Sequence, residues 1–492
     1  PYETMKAEDM VVTDAEGNVT TISYDPNGNR IVIVDGNGHP TTLSYDELDR
    51  LASMTNAENE TTAYRYDAEG NRVLLIEADG IVTRYDYDKI YRLIAVMQNM
   101  RDKEPEAADV NVDTHYAYDP NGNLIEIQNP NDNATRFEYD PLNRQITEID
   151  ALGNVWAYQY DAVGNRTLRV DAKGQRAEYA YYPDDQLQRV SYQNGAAVAY
   201  TYDPNNNRIG MTDALGASAW TYNPLNQVTA VKDALGRQLA MTYDHVGNRT
   251  SLTYPDGRAA NYAYYKNDWL QALTDPEQGV ITYRRDGVGM TTQIANPNET
   301  FTGMQYDKVN RVLQIANQGK KLNSGFKYVY DDAGQRIRVE ASYAWRTKGA
   351  LKTDYTYDGL RRLVKSADSE GVWNTYAYDR AGNRLNYATN DDGATNNPKD
   401  ALEQRSTYNA INQLLAMTET GTSTPLSKRE QTTTFEYDAN GNRIRKQWPG
   451  PQGPQIQGTQ YSYDPENRLT AALNYQGNDK GNIIERDITT ME

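Results

Sequence analysis

The sequence predicts an all-β chain: a long antiparallel meander of short hairpins, coiled into a spiral, hollow, shell-like architecture. Three observations lead there. A Tyr recurs in phase through the chain, most often every 21 residues, at Tyr24, Tyr45, Tyr66 and Tyr87, then from Tyr118 to Tyr283, and less evenly to Tyr463, twenty copies in all. The residue two before it is almost always large and apolar, as in Ile22, Leu43, Tyr64, Phe137, Tyr158 and Tyr376, which is the period of a half-buried strand. Turn signals then follow at two fixed places in each unit.

The elements follow in order. The key Tyr closes a β-strand, so strands are expected at Thr20 to Tyr24, Thr62 to Tyr66 and Ala157 to Tyr160, and at their in-phase equivalents; Thr, Val and Tyr have the matching propensity. Next comes the phrase Tyr-Asp, two variable residues and Gly-Asn-Arg, as in TYAYDRAGNRL from Thr375 to Leu385. Its Asp can cap a turn, and Gly and Asn both tolerate positive φ. The repeat residues singled out are Tyr24 and Asp25, Tyr66 and Asp67, Tyr118 and Asp119, Tyr160 and Asp161, Tyr378 and Asp379, and Tyr437 and Asp438. Some copies decay: Tyr182, Asn223 and Arg284 stand where Asp is usual. A second turn lies about midway, in DAEGN (Asp14 to Asn18), DGNGH (Asp35 to His39) and DALGN (Asp150 to Asn154).

Two strands and two turns per unit give about forty strands. At ~4.8 Å each they extend roughly 190 Å, and open sheets rarely pass ~10 strands without curling. Rolled into one ring, such a sheet would be on the order of 60 Å across, too wide for side chains to fill. A coil with an interior large enough for a polypeptide is expected, its Tyr side chains mostly buried against Tyr of adjacent repeats.

Interruptions are expected as loops. They are Ala95 to Val112, which carries DKEPEAAD, and the additions TNDDGATNNPKDALEQ (Thr389 to Gln404), TETGTSTPLSKREQ (Thr418 to Gln431) and PGPQGPQIQG (Pro449 to Gly458). Any helix should fall near Ala95 or Asp400. The whole of 1–492 therefore reads as one repeat array, regular to about 386 and longer-looped over 387–492.

Composition bounds function. Tyr outnumbers Phe by 40 to 4, suiting a surface that packs on one side and meets water on the other. A net charge of -18 opposes a nucleic-acid partner and insertion at an anionic membrane surface. With no Cys there is no disulfide framework or thiol chemistry. No apolar run approaches the ~18 residues of a membrane helix. The chain starts at Pro1, so a processed product or fragment is expected.

Catalysis finds little support. The histidines, His39, His115 and His245, are far apart in sequence, and no phosphate loop, nucleophile elbow or zinc-ligand spacing occurs. DPNGN (Asp25 to Asn29) resembles the start of a calcium loop, but Arg30 stands where that loop needs Gly and Gly36 where it needs a carboxylate. The expectation is therefore no enzyme, no cofactor and no metal. Tyr rows could stack on sugars, but cross-strand packing explains them more simply.

YDxxGNR at this spacing resembles the YD repeat of bacterial Rhs proteins, insecticidal toxin complex B and C components, polymorphic toxins and teneurins. The resemblance covers about Val12 to Leu473. It implies a β-cocoon that encapsulates a C-terminal toxin polypeptide, exported by a specialised secretion system to the cell surface or beyond. Its partners would be that polypeptide or other segments of the same protein. The family's GRF or GRY and DPxG motif, whose aspartates cut the toxin free, does not occur here, so no protease residues carry over. The expected function is thus a shell segment without its payload. An extracellular adhesion or carbohydrate-binding repeat protein, with cell-surface glycans as partner, is the alternative.

Overall fold

The computed structural model describes residues 9–101, 104, 107–320, 323–391, 401–421, 430–450, 455–477 and 483–490. It contains 42 β-strands, from Met10–Thr13 to Ile483–Thr490, and no helix among the described residues. The expected strands form with slightly earlier starts, as Val19–Tyr24, Thr61–Tyr66 and Val155–Tyr160.

The chain makes two compact units. One comprises the chain up to Arg84 with Tyr202–Met211 and Leu215–Tyr355; the other comprises Tyr85–Thr201, Thr212–Ala214 and the chain from Thr356 on. In the first, Thr61–Tyr66 pairs antiparallel with Arg72–Ile76, matching Tyr64 to Leu75 and Arg65 to Leu74 before a bulge brings Tyr66 opposite Arg72. Arg72–Ile76 then pairs with Val82–Tyr87 without a bulge. In the second, Val155–Tyr160 and Arg166–Val170 repeat the first pattern, bulge included. The bulge at the key Tyr is the regular event that ends the strand and turns the chain.

Both turns are five-residue loops. In Asp67 to Asn71 the first N–H donates to the fifth carbonyl (3.0 Å), and the fourth N–H donates to the first carbonyl (3.3 Å). The fourth residue takes positive φ, mostly as Gly (Gly28, 92°), Asp or Asn (Asp49, 58°; Asn143, 61°), but also as Tyr91 (67°), Arg361 (62°) and Glu299 (63°).

Four expectations need correction. Ala95 lies in the strand Leu93–Gln98, opposite His115, and not in a helix; Asp400 lies outside the described residues. The late additions are only partly loops. Their ends lengthen the flanking strands, through Leu402 to Gln404, Thr418 to Gly421 and Ile456 to Gly458, so that Leu402–Tyr408, Leu414–Gly421 and Ile456–Tyr463 have seven or eight residues each. The Tyr side chains expected to be buried, Tyr64, Tyr66, Tyr158, Tyr160, Tyr376 and Tyr378, are half-buried. Their cover comes largely from arginines and from neighbouring backbone, described below, although Tyr376 does stack on Tyr387 of the next strand at 5.3 Å. Finally, Asn29 is not a positive-φ residue; only the Gly before it is.

Candidate functional site: a turn ladder and a seam

The turn after each key Tyr is built around its first Asp. Asp25 Oδ1 accepts the N–H groups of Asn27 (3.0 Å) and Asn29 (2.8 Å), and Oδ2 accepts Asn29 Nδ2 (3.1 Å). These donors hold the carboxyl below the usual carboxylate range, the Asn29 N–H contributing most. At Asp67 and Asp119 the leading cause is the side chain of the fifth residue, Asn71 and Asn123.

A second form alternates with it. In Asp46 to Arg50 the fifth residue is Arg, whose Nε donates to Asp46 Oδ2 at 2.8 Å. The two forms join along the row of turns. Asn29 Nδ2 donates to Asp49 Oδ1 (2.7 Å) in the next turn, and Arg50 Nη1 donates to the Asp67 carbonyl (2.9 Å) in the one after. Arg50 also lies 4.7 Å over the Tyr66 ring. In the other unit Arg92 reaches the Asp119 carbonyl (2.7 Å), Asn123 reaches Asn143 (2.8 Å), Arg144 reaches the Asp161 carbonyl (2.7 Å) and Asn165 reaches Asp185 (2.8 Å). Over these turns the period is thus two repeats, and the phrase at 25 and its neighbour at 46 are complementary links of a ladder; further along, Trp269 and Met290 interrupt the alternation.

The key Tyr hydroxyl ties each repeat to the one before. Tyr66, Tyr160 and Tyr378 donate to the carbonyls of Leu51, Gln145 and Leu363 at 2.8–3.0 Å, and Tyr437 donates to that of Leu414 at 3.0 Å. Tyr24 instead points its hydroxyl at Met10 Sδ, 3.8 Å away. The Arg after Gly-Asn lies over neighbouring rings at Arg72, Arg166, Arg249, Arg384 and Arg443: Arg166 is 5.7 Å from the Tyr158 centroid and 4.8 Å from that of Tyr179.

Within each unit the midway turns of early strands meet the Tyr-Asp turns of much later ones. In the first unit the third residue of a midway turn accepts the N–H of the second residue of a Tyr-Asp turn. Glu16 takes Lys266 (2.6 Å), Asn37 takes Gly287 (2.9 Å) and Glu58 takes Lys308 (2.9 Å), each at an offset of 250 residues. Glu60 adds an ion pair with Arg311 (2.7 Å). Asn267 Nδ2 donates to Asp14 (2.9 Å), whose carboxyl is lowered to about 2, first by Asn18 and then by Asn267. The backbones of Gly36 and Gly287 approach so closely that a Cβ on either would lie 2.2–2.3 Å from the other's carbonyl oxygen.

The second unit is stitched likewise. Asp109 takes the Gly359 N–H (2.9 Å), again at an offset of 250, and Arg362 reaches the Ala108 carbonyl (2.8 Å). Arg380 pairs with Asp113 (2.5 Å), and Asn131 donates to Asp379 (2.9 Å). Asn440 donates to Asp171 (2.6 Å), Lys173 pairs with Asp438 (3.1 Å), and the Tyr192 hydroxyl donates to Glu466.

The predicted repeat residues therefore do not converge on one pocket. They form a row along one edge of the strands, and Asp379 and Asp438 stand in the seam as well. Sequence reasoning missed the alternating fifth residue, although Asn29, Arg50, Asn71, Arg92, Asn123 and Arg144 display it openly. It also missed the seam, for which a single turn carries no signal.

Comparison with known proteins locates the pattern. Residues 1–171 match the Teneurin YD-shell family model, and residues 181–218 and 222–259 each match the RHS Repeat model. The chain is 26% identical over 236 residues to the tRNA3(Ser)-specific nuclease WapA of Bacillus spizizenii; the match covers 47% of this chain and 9% of that protein. Its fold is similar to that in the crystal structure of TcdB2-TccC3-Cdc42, with a TM-score of 0.65 and 14% identity, covering 95% of this chain and 29% of that one. It is also similar to TcdB2-TccC3 (TM-score 0.60, 13% identity, 98% and 33%) and to the Photorhabdus luminescens Tc holotoxin pore (TM-score 0.54, 14% identity, 98% and 32%). The chain thus spans about a third of those chains' length, and the likeness is one of fold.

Proposed function

Because the chain belongs to the YD-repeat, Rhs-type family, we propose that it is a stretch of shell wall in a larger, secreted toxin-type protein, enclosing another polypeptide. Its own role is structural: the ladder and the seam are its working parts. The observation that carries this reading is the seam. An edge that accepts the backbone of later repeats at a fixed offset of 250 residues lets a meander close side by side into a continuous wall. A polar, Tyr-rich sheet also tolerates a wet interior better than an aliphatic one. Placement outside the producing cell and export by a specialised system are parts of the same proposal.

Limited proteolysis of the whole gene product tests it. The enclosed segment should resist protease in the parent protein. It should be digested in Gly36→Val or Gly287→Val, whose added side chain collides with the facing carbonyl, while hydrogen exchange of strands away from that seam stays unchanged. Equal digestion of the segment in parent and variant would overturn the proposal.

A further inference from the structure

Five Asn–Gly pairs occur in the sequence, at Asn27, Asn37, Asn121, Asn194 and Asn440. In all five the Asn is the third residue of a five-residue turn and the Gly is the fourth. Each Gly has φ between 80° and 93°, and each Gly N–H donates to the carbonyl of the first residue of its turn at 2.9–3.1 Å. The backbone of the pair is therefore the same throughout, and the sites differ in what holds the Asn side chain.

Three of these Asn residues are exposed. Asn27 Nδ2 donates to the exposed Asp49 Oδ1 (2.9 Å), and Asn194 Oδ1 accepts the Ala196 N–H within its own turn (3.0 Å). The Asn121 side chain makes no hydrogen bond among the described residues. The other two are half-buried in the seams, and each clamps a facing turn. Asn37 Nδ2 donates to Asp286 Oδ2 (3.1 Å), while its Oδ1 accepts the Gly287 N–H (2.9 Å). Asn440 Nδ2 donates to Oδ2 of the buried Asp171 (2.6 Å), while its Oδ1 accepts the Lys173 N–H (3.2 Å). Both clamps need the amide, which is donor and acceptor at once; a carboxylate only accepts.

We propose that Asn37 and Asn440 are self-modification sites that leave an opened seam unable to reclose. In an Asn–Gly pair the Gly nitrogen, with no Cβ beside it, attacks the Asn Cγ. A C–N bond forms, the Gly N–H proton leaves with the side-chain nitrogen as ammonia, and a cyclic imide remains. Water then splits either of the imide's ring C–N bonds, giving Asp or isoaspartate. While a clamp is closed, ring closure requires the amide to leave both partners, so the reaction follows the opened fraction. Once the amide is gone, a carboxylate faces Asp286 or Asp171 where a donor had been, and like charges oppose reclosure. Isoaspartate at position 37 also lengthens the backbone beside Gly36, whose close approach to Gly287 leaves no room for it. The inference stands on these seam contacts alone and survives failure of the shell proposal.

Peptide mapping by mass spectrometry tests it, on the intact chain incubated for days in mildly alkaline buffer, both native and in urea. The rate in urea gives the intrinsic reactivity of each pair. The native-to-urea ratio should be lower by about tenfold or more at Asn37 and Asn440 than at Asn121 and Asn194. In Gly287→Val the ratio should rise at Asn37 and stay unchanged at Asn440, which belongs to the other unit. Asn37→Asp, which makes one product directly, should speed hydrogen exchange at 286–290, and Asn440→Asp at 171–175, each by about tenfold. Asn121→Asp should leave exchange outside its own turn as in the parent. Should Gly287→Val fail to fold, the ratios in the parent chain and the Asp variants decide alone. The proposal falls if all four ratios are equal, or if Asn37→Asp and Asn440→Asp exchange like the parent.

Discussion

The turns Asp46 to Arg50 and Asp358 to Arg362 are the same device in two settings. In both, Arg Nε meets the first Asp (2.8 and 2.7 Å), Nη1 reaches the next turn's Asp carbonyl (2.9 and 2.6 Å), and the guanidinium lies over the next Tyr (4.7 and 4.9 Å). The late turn is docked, with Gly359 N–H held by Asp109 and Arg362 on the Ala108 carbonyl. The third residue records the difference. Leu48 is 66% exposed, whereas Leu360 is half-buried. The same contrast recurs in each unit: Leu225 and Val246 are exposed while Val288 and Val309 are half-buried, and Leu142 and Val163 are exposed while Ile411 is half-buried. Several repeats thus carry an apolar third residue at a turn edge, and only some of those edges are docked. The lesson is that one phrase encodes two functions, local turn closure and long-range stitching, and that they can be separated experimentally.

The widest separation should come from removing the shared arginine. Arg362→Ala breaks a pair whose carboxylate, on Asp358, is only 9% exposed, and it also removes a seam contact. A local loss of about 3 kcal/mol is expected, seen as faster hydrogen exchange at both 108–113 and 379–383. Arg50→Ala loses the ladder contacts alone and should cost about 1–2 kcal/mol, confined to 46–50 and 67–71. Equal effects would mean that the seam adds nothing.

A smaller contrast tests the third residue. Leu360→Asn should cost about 1–2 kcal/mol of local stability by removing partly buried apolar surface. Leu142→Asn, at an exposed position, should stay within about 0.5 kcal/mol. Protease susceptibility of the two turns would rank them, and the reverse order would refute the docking account.

The mildest handle is acid. Asp14 titrates near 2 in the folded chain against a usual 3.8. Its depressed value means that the contribution is fully present above about pH 4 and is lost as pH falls toward 2. Protonation weakens the acceptor for both Asn18 and Asn267. Exchange at 14–18 and 265–269 should therefore rise together over that window, and a rise at 14–18 alone would show that Asn267 is not held by this carboxylate.

The strands were legible because their evidence is local. Ile22 and Tyr24, or Tyr64 and Tyr66, mark a period of two within one strand, and Asp25 names its turn. The ladder was half legible. Asn29 and Arg50 are plain in the sequence, but their partners lie one turn further along, so each reads as an independent variation until the strands are paired. The seam was illegible. Nothing near Asn37 points to Gly287, because the match is set by accumulated strand count. The late additions misled for a simpler reason: runs such as Thr418 to Gly421 read as loops by composition, yet Thr extends a strand when its neighbour does the same, and Thr418 meets Thr432 at 2.9 Å.

The bulge-and-turn meander also dictates how such a chain would respond to tension. Its interstrand hydrogen bonds lie across the strands, and each strand leads straight into its neighbour through a five-residue turn. A pull on one end would load those bonds one pair at a time, so the sheet should peel hairpin by hairpin at low force and not shear as a block. The Tyr hydroxyls and the Arg–Asp ladder would give one small rip per repeat. The stitches at an offset of 250 residues would superimpose rarer, larger rips, each releasing a docked turn. A force-extension trace would then read as a ruler with two scales, the fine one written by the Tyr-Asp phrase and the coarse one by the seam.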